Sequence, residues 1–267
     1  MRSPAVLLPL ALLAACGTTY EVPLGAAPSG ALPAAASQAP AGRARTSADF
    51  ARVASRIEPV AERFCREENP RAPAAWCDYR IRLDNDPRMP PNAYQSEGED
   101  GRPNVTVGVT LLGEMRSDDE IAFVLSHEMS HHIAGHIPKQ QQQQVLGALI
   151  LGGLVAAAGN PATGGPASDQ AISQAMDVGA YLGARSYSQS YELEADTLGA
   201  FIAARAGYDP EAGAEIFGRP ALADAGGPPI LSSHPASARR QATIAAVAAE
   251  IRRQQALGLT PRPGQAG

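Results

Sequence analysis

The chain of 267 residues is poor in aromatic residues, in cysteine and in positive charge, and each shortage excludes a class of protein. Its 22 lysine and arginine residues are outnumbered by 27 aspartate and glutamate residues, whereas a nucleic-acid-binding protein carries a basic surface. Three cysteines are too few for a small disulfide-stabilised scaffold. Aromatic residues make up only 5%, so the core must consist mainly of alanine, leucine, isoleucine and valine. Hydrophobic residues nevertheless reach 45%, enough for one sizeable core or two small ones.

The sequence also lacks an apolar run of the roughly 20 residues that a bilayer-spanning helix needs. The N-terminal apolar run covers residues 5–15 and follows Arg2, a pattern typical of a secretory signal peptide. Residues 13–16, LAAC, resemble a bacterial lipobox, in which the cysteine is lipidated and becomes the mature N-terminus. The alternative is an ordinary signal peptide with an incidental cysteine. We predict a signal peptide over residues 1–15 and lipidation of Cys16.

Composition also predicts how the chain is divided. Alanine, proline, glycine, serine and threonine dominate residues 16–45, so this lipidated N-terminal segment is predicted to be a flexible tether. Residues 46–256 are then the folded domain, and residues 257–267 a disordered tail. Gly17 stands where an aspartate would resemble an inner-membrane retention signal, which favours the periplasmic face of the outer membrane. The predicted location is the bacterial cell envelope.

If the protein is exported, the two remaining cysteines, Cys65 and Cys77, are placed in an oxidising compartment. In an oxidising compartment they can form a disulfide. Two reduced, buried cysteines are an equally acceptable interpretation, and the sequence does not decide between them.

The predicted domain combines strand and helix patterns. Apolar residues at three- and four-residue spacing predict a helix over residues 50–64, and alternating patterns predict strands over residues 77–83 and 104–110. From Ser117, a plausible N-cap, the chain becomes mostly helical. The further predicted helices span about residues 117–136, 169–206 and 235–255, and the second of these could be broken near Arg185. The fold class is therefore α+β, a small sheet beside a helical body.

The motif HExxH at residues 127–131 carries the predicted chemistry. Positions i and i+4 of a helix share one face, so His127 and His131 can bind one Zn²⁺. Glu128, beside the first ligand, is placed to act on a water that the metal activates. The motif lies within a predicted helix, and four of the five histidines of the chain cluster there.

A catalytic zinc needs a third protein ligand, for which Glu192 is the best candidate. Glu192 and Asp196 are four residues apart on a predicted helix, so Asp196 could fix the tautomer of a ligand histidine. Glu194 is predicted to point elsewhere and to be solvated. The alternative for Glu192 is an ordinary surface carboxylate.

Together the motifs resemble metallopeptidase family 48, the family of the CAAX prenyl proteases and HtpX-like zinc endopeptidases. The resemblance rests on four stretches: DEIAFVLSHEMSHHIAGH at residues 119–136, YELEAD at 191–196, AGYDP at 206–210 and SHP at 233–235. It extends over about residues 47–255 and is strongest to the periplasmic lipoprotein branch that includes BepA and LoiP. It implies a mostly helical zincin domain of the gluzincin type, with the small β-sheet beside the HExxH helix.

Carried over by position, the resemblance implies one zinc per chain and a role for each site residue. The zinc ligands would be His127, His131 and Glu192, and the catalytic base would be Glu128. His234 matches a histidine near the metal that could hydrogen-bond the oxyanion or occupy the open zinc position; a helix-capping role is the alternative. Arg240 matches the arginine six residues later.

The predicted function is a zinc metalloendopeptidase that hydrolyses envelope proteins, above all misfolded or misassembled ones. Its partners would be polypeptide substrates and the membrane that holds its lipid anchor. The strand at residues 104–110 could bind an extended substrate by β-augmentation. The rival hypothesis is a non-catalytic, zinc-containing lipoprotein that acts as a chaperone or assembly factor for outer-membrane proteins. An intact Glu128 argues against this rival, because a structural zinc site does not need a base beside its first ligand.

Residues 145–158, VLGALILGGLVAAA, are apolar throughout but too short to cross a membrane. We predict a mobile hairpin or lid beside the active-site cleft. A buried core helix is the alternative.

Overall fold

The computed structural model describes residues 18–23, 43–186, 188–219, 234–235 and 237–264, with the side chains of residues 182–188 left out. The predicted lipidation site Cys16 lies outside the described residues. The elements in chain order are α1 (Ser47–Glu68), β1 (Arg80–Asp84), β2 (Ala93–Glu97), β3 (Pro103–Gly108), α2 (Val109–Glu114), α3 (Asp118–Ile133), α4 (His136–Ala158), α5 (Asp169–Ser186), α6 (Ser188–Arg205), α7 (Pro210–Ala214) and α8 (Ala238–Ala256). Short 3₁₀ turns span Ala74–Cys77 and Glu215–Gly218. The mostly helical α+β fold is as predicted.

The described residues fall into two compact units. The hairpin unit contains Thr18, Thr19 and the described residues of His136–Ser190, and hence α4 and α5. The core unit contains Tyr20–Gly135 and the described residues from Tyr191 onward.

Helix α3 is the centre of the core unit. Its N-cap is Ser117, as predicted, whose hydroxyl accepts a hydrogen bond from the Glu120 amide. Every residue from Glu120 to Ile133 except His131 is buried, because α1, α7, β2 and β3 all pack against this helix. A helix enclosed on all sides holds its side chains in fixed positions, which suits a helix that carries the HExxH motif.

The sheet has three strands in the order β1-β3-β2, with β1 parallel and β2 antiparallel to β3. The sequence predicted β1 and β3 but not β2. Val105 of β3 pairs with Ile81 on one side and Gln95 on the other, so the backbone of β3 has no free edge. The prediction that residues 104–110 bind substrate by β-augmentation is therefore wrong. Among the described strands, only β1 and β2 have an unpaired edge.

Cys65 and Cys77 form a disulfide, which settles the choice that the sequence left open. The bond joins the end of α1 to the 3₁₀ turn before β1. Both cysteines are buried in the core. A covalent link of this kind stabilises the domain by restricting its unfolded chain.

The predicted tether includes a residue that lies in the core. Tyr20 is 2% exposed, and its backbone N–H donates to Glu194 Oε1 at 2.7 Å. The next amide, of Glu21, donates to the Gly264 carbonyl. An alanine- and proline-rich composition describes a segment only on average, so it could not identify a single tyrosine that packs against the domain.

In the hairpin unit, α4 and α5 pack together and are joined by residues 159–168. Pro138 lies in the first turn of α4, where its missing N–H costs no hydrogen bond. Val145, Leu149 and Leu154 are exposed, and the apolar core cluster includes no residue of 145–158. The core-helix alternative for that segment is therefore wrong. Within the described residues, no helix is both long and apolar enough to cross a membrane.

Candidate metal centre

Helix α3 presents both histidines of the HExxH motif on one face. The spacing of four residues brings His127 Nε2 within 3.1 Å of His131 Nε2. His127 is fully buried and Glu128 is 1% exposed, whereas His131 remains partly accessible. One imidazole is therefore anchored in the core, and the other faces solvent.

Helix α6 brings the predicted third ligand to the same place. It passes very close to α3 at Gly199, where a Cβ atom would lie only 3.1 Å from the backbone nitrogen of His127. As a result, Glu192 Oε2 lies 3.3 Å from His127 Nε2, and Glu192 Oε1 lies 3.4 Å from His131 Nε2. The alternative of a surface carboxylate for Glu192 is not supported, since the residue is buried.

His234 joins this cluster from the C-terminal part of the chain. Its Nδ1 atom lies 3.2 Å from His127 Nε2 and 3.0 Å from both carboxylate oxygens of Glu192. Its Nε2 atom faces Glu128 Oε1 at 3.4 Å. The side chain thus stands between the three predicted ligands and the predicted base.

These four side chains fit a metal ion. The donor atoms of His127, His131, Glu192 and His234 all lie within 4.8 Å of one another. Zinc–ligand bonds of about 2.0–2.1 Å in a tetrahedral site place neighbouring donor atoms about 3.3–3.4 Å apart. The separations of 3.0–3.4 Å among the cluster's close donor pairs are near this value. Imidazole nitrogens and a carboxylate oxygen are also the donors that zinc prefers.

A buried ion pair between Asp196 and Arg240 contacts two histidines of the cluster. Asp196 Oδ1 lies 3.0 Å from His127 Nδ1, the ring nitrogen on the far side from the cluster. Arg240 binds Asp196 through two hydrogen bonds of 2.7 Å, and its NH1 donates to the His234 carbonyl at 3.1 Å. The guanidinium also lies over the Phe217 ring, 4.3 Å from its centroid. Arg240 therefore connects the partner of one cluster histidine to the backbone of another.

The electrostatics of the cluster favour a positive charge at its centre. Burial opposes the ionisation of Glu192, but the attraction of His234 and hydrogen bonds from the other histidines hold its pKa well below the usual range. Burial also opposes the ionisation of Asp196, yet the Arg240 guanidinium lowers the pKa of this carboxyl. Burial lowers the pKa of His127, but the two carboxylates more than compensate and raise it. Either a proton or a metal ion can supply the charge that these carboxylates attract.

Sequence reasoning was wrong about Glu194 and did not single out Phe217, a further neighbour of the site. For His132 it predicted a position beside the metal site or at the surface, and the residue is buried. Glu194 is fully buried and accepts the Tyr20 amide, so it is not solvated. His132 lies outside the cluster: its Nε2 is 2.7 Å from the Trp76 carbonyl, and burial lowers its pKa to about 4. Phe217 packs against the His127 ring at 5.4 Å between centroids. No sequence motif marks these contacts, because each joins residues that are distant along the chain.

Replacing Glu192 with alanine is expected to lower the zinc content of the purified protein sharply. The change removes a carboxylate that lies within 3.4 Å of three cluster imidazoles. Metal analysis after dialysis measures the effect. Glu211→Ala is the control, because Glu211 is a partly exposed carboxylate on α7 that pairs with Arg252. Equal zinc retention in the two variants would contradict the ligand assignment.

Comparison with known proteins gives a consistent result. The model of peptidase family M48 matches residues 47–248. The mitochondrial metalloendopeptidase OMA1 of Saccharomyces cerevisiae is 31% identical over 169 residues, which cover 61% of this chain and 45% of that protein. The beta-barrel assembly-enhancing protease of Yersinia pestis is 31% identical over 114 residues, which cover 41% of this chain and 22% of that protein. The chain thus spans less than half of either relative. No solved structure matches significantly.

Proposed function

Because the chain belongs to peptidase family M48, we propose that it is a zinc metalloendopeptidase of the cell envelope that hydrolyses misfolded or misassembled envelope proteins. One observation carries this proposal: His127, His131 and Glu192 converge within 3.4 Å of one another, with Glu128 next to them on α3. The name of the Yersinia relative, a beta-barrel assembly-enhancing protease, supports an envelope substrate. The name of the yeast relative, a metalloendopeptidase, supports the reaction.

In the proposed site, His127, His131 and Glu192 hold the zinc, and Asp196 fixes the His127 ring through its Nδ1 atom. A catalytic site also needs one position open to water. His234 Nδ1 lies within 4.8 Å of the donor atoms of these three residues, so a water that bound the zinc would take the place of this side chain. The displaced His234 ring would then be available to donate a hydrogen bond to the oxyanion of the reacting peptide.

Glu128 is the proposed general base. When bound, zinc supplies a Lewis acid that polarises the scissile carbonyl and activates water. Glu128 accepts the proton of the attacking water and transfers it to the leaving amine, a role that requires a carboxylate close to the metal but not bound to it. Its Oε1 atom is buried and lies 3.4 Å from His234 Nε2. A non-catalytic zinc protein would have no use for this carboxylate.

The edge strand β2 is the proposed binding strand for an extended substrate. It pairs with β3 on one side only, and it packs against α3. Its Gln95 side chain lies 3.4 Å from His132, the neighbour of the second predicted ligand. Backbone hydrogen bonds to such an edge give affinity without a strict sequence requirement. This suits an enzyme that acts on unfolded segments.

The activity is tested by removing and restoring the metal. Purified protein should cleave an unfolded outer-membrane protein, lose this activity after chelation, and regain it when one equivalent of zinc is added. The folded form of the same substrate should be cleaved much more slowly, because only an extended segment can pair with β2. Absence of cleavage by protein that retains its zinc would refute the proposed activity.

The proposed anchor is a lipid on Cys16. We expect Cys16→Ser to move the protein from the membrane fraction to the soluble periplasm, or to leave its precursor uncleaved. Fractionation followed by mass spectrometry of the N-terminus measures both outcomes. If the mature variant, verified as free of lipid, remained in the outer membrane after a salt wash, the lipid would not be the anchor that holds it there.

A further inference from the structure

The hairpin unit exposes an unusual amount of apolar surface. Seven of the ten large hydrophobic side chains that are exposed in the described part of the chain lie on α4 and α5. The six most exposed of these, at 50–62%, define what we call the apolar surface: Val145, Leu149, Ile150, Leu154, Val178 and Tyr181. A soluble monomer rarely exposes so many apolar side chains together, so this surface needs a partner.

The contact between the two helices does not use these side chains. A Cβ atom on Gly179 would lie 2.1 Å from the Gly147 carbonyl oxygen, and one on Gly152 would lie 2.4 Å from Met176. The helices therefore meet at glycines, with Met176 beside one of them, and the six side chains of the apolar surface lie outside this contact. Helix pairs that are surrounded by lipid show the same arrangement. Lipid is as apolar as these side chains, so no hydrophobic driving force buries them between the helices.

The apolar surface also extends around the helix. Val145 and Leu154 are nine residues apart, which places them on roughly opposite sides of α4 at 3.6 residues per turn. A protein partner that docks on one face would cover only part of such a surface. A helix with apolar side chains on more than one side is typical of a helix in an apolar medium.

Charge is missing from the same region. Residues 140–168, which include most of α4 and the loop to α5, contain no lysine, arginine, aspartate or glutamate. Protein–protein interfaces usually have a polar, charged rim, whereas insertion into lipid disfavours every charge. The exposed Asp177 on α5 directly precedes Val178. A helix that lies in the interfacial region, unlike one that spans the bilayer, leaves such a charge in contact with water and headgroups.

The position of the N-terminal segment indicates which apolar medium is present. Lys139 Nζ, in the first turn of α4, donates to Thr19 Oγ1 at 2.7 Å. Cys16 precedes Thr19 by three residues, so a fully extended link spans at most about 11 Å. This step rests on the proposed lipidation of Cys16. A lipid on that residue would bring the membrane within this distance of the base of the hairpin.

We propose that the apolar surface of the hairpin unit docks into the interfacial region of the lipid bilayer. The hairpin and the lipid on Cys16 then enter the same leaflet side by side. Neither is sufficient for lasting attachment alone, because a single weak hydrophobic anchor exchanges readily with solution and stable attachment takes two.

The test uses mature protein that carries Cys16→Ser and is secreted behind a conventional cleavable signal, so that no lipid is present. It is mixed with vesicles of phosphatidylethanolamine and phosphatidylglycerol and separated by flotation. We expect a fraction of the protein that increases with vesicle concentration to float with the vesicles, because a single weak anchor binds reversibly. The same reversibility releases Cys16→Ser protein from the membrane fraction on dilution. Leu149→Gln with Leu154→Gln should weaken the partition coefficient at least tenfold, since two leucines would no longer be transferred from water. Because the protein carries no lipid and is not assayed for cleavage, the result is independent of the proposed function.

The matched control replaces Leu257 and Leu259 with glutamine. These leucines are 62% and 55% exposed, as much as the pair on α4, but they follow α8 in the core unit. The control should bind vesicles within twofold of the unsubstituted protein. Circular dichroism checks that each variant is folded, and Val145→Gln with Val178→Gln serves as a second test pair.

Three results would overturn the proposal. One is failure of the folded protein to float with vesicles at all. Another is self-association, measured by sedimentation, that the α4 substitutions abolish without changing vesicle binding. That result would assign the surface to contact with a second copy of the chain. The third is loss of affinity for an unfolded polypeptide, again with unchanged vesicle binding, which would assign it to substrate.

Discussion

Glu128→Gln should reduce peptide hydrolysis by about 10²–10⁴-fold or more, while the protein keeps its zinc and its fold. The amide is almost the same size as the carboxylate but cannot accept the proton of the attacking water. Glu128 is not one of the four residues whose donor atoms form the metal cluster, so its replacement leaves all the predicted ligands in place.

The measurement compares cleavage of an unfolded protein, zinc content and melting temperature in the wild type and the variant. Glu120→Gln is a poor control, because the buried Glu120 side chain holds Arg219. Glu211→Gln, on the exposed surface of α7, is a better one and should leave all three values unchanged. Undiminished cleavage by the Glu128 variant would rule out the general-base role.

Arg240→Leu should lower the free energy of unfolding by about 3–5 kcal/mol, the largest effect on stability that we expect from a single substitution near the site. In the wild type, the Arg240 guanidinium binds Asp196 through two hydrogen bonds of 2.7 Å. In the variant, Asp196 remains fully buried without this partner. The substitution also removes the hydrogen bond to the His234 carbonyl and the stacking on Phe217.

Thermal unfolding should show a decrease in Tm of roughly 6–20 °C for a domain of this size. Arg253→Leu is the matched control on the same helix. The Arg253 side chain is 61% exposed and pairs with Glu250 at the surface, so its loss should change the stability by less than about 1 kcal/mol. Equal melting temperatures for the two variants would show that the buried pair contributes nothing to stability.

The parts of the site that the sequence predicted are those that regular helix geometry determines. The four-residue spacing of His127 and His131 guarantees one shared face, whatever the rest of the fold. The same spacing between Glu192 and Asp196 correctly placed both carboxylates on the side of α6 that faces α3. The prediction that Glu194 is solvated was wrong, because the spacing shows only that its side chain points away from Glu192. It does not show that Tyr20, 174 residues earlier, covers it.

The parts that the sequence could not predict depend on contacts between distant segments. Strand β2 is half-exposed and carries a mixed pattern, AYQSE, so alternation alone does not distinguish it from a loop. Its pairing with β3 defines it as a strand. For the same reason, the free edge was assigned to the wrong strand: β3 has the most regular apolar alternation because it is central and buried, and a central strand has no free edge.

The Cys65–Cys77 disulfide determines how many thiols the chain can offer to a chemical reagent. With three cysteines in all, the bond leaves Cys16 as the only one outside it. A maleimide added to the denatured but unreduced protein therefore reports on Cys16 alone. A precursor with a free Cys16 thiol takes up one label per chain, a chain whose Cys16 sulfur carries the lipid takes up none, and prior reduction adds two labels to either form. Because the disulfide keeps the other two sulfurs from reacting, a mass measurement after labelling gives the fraction of lipidated molecules.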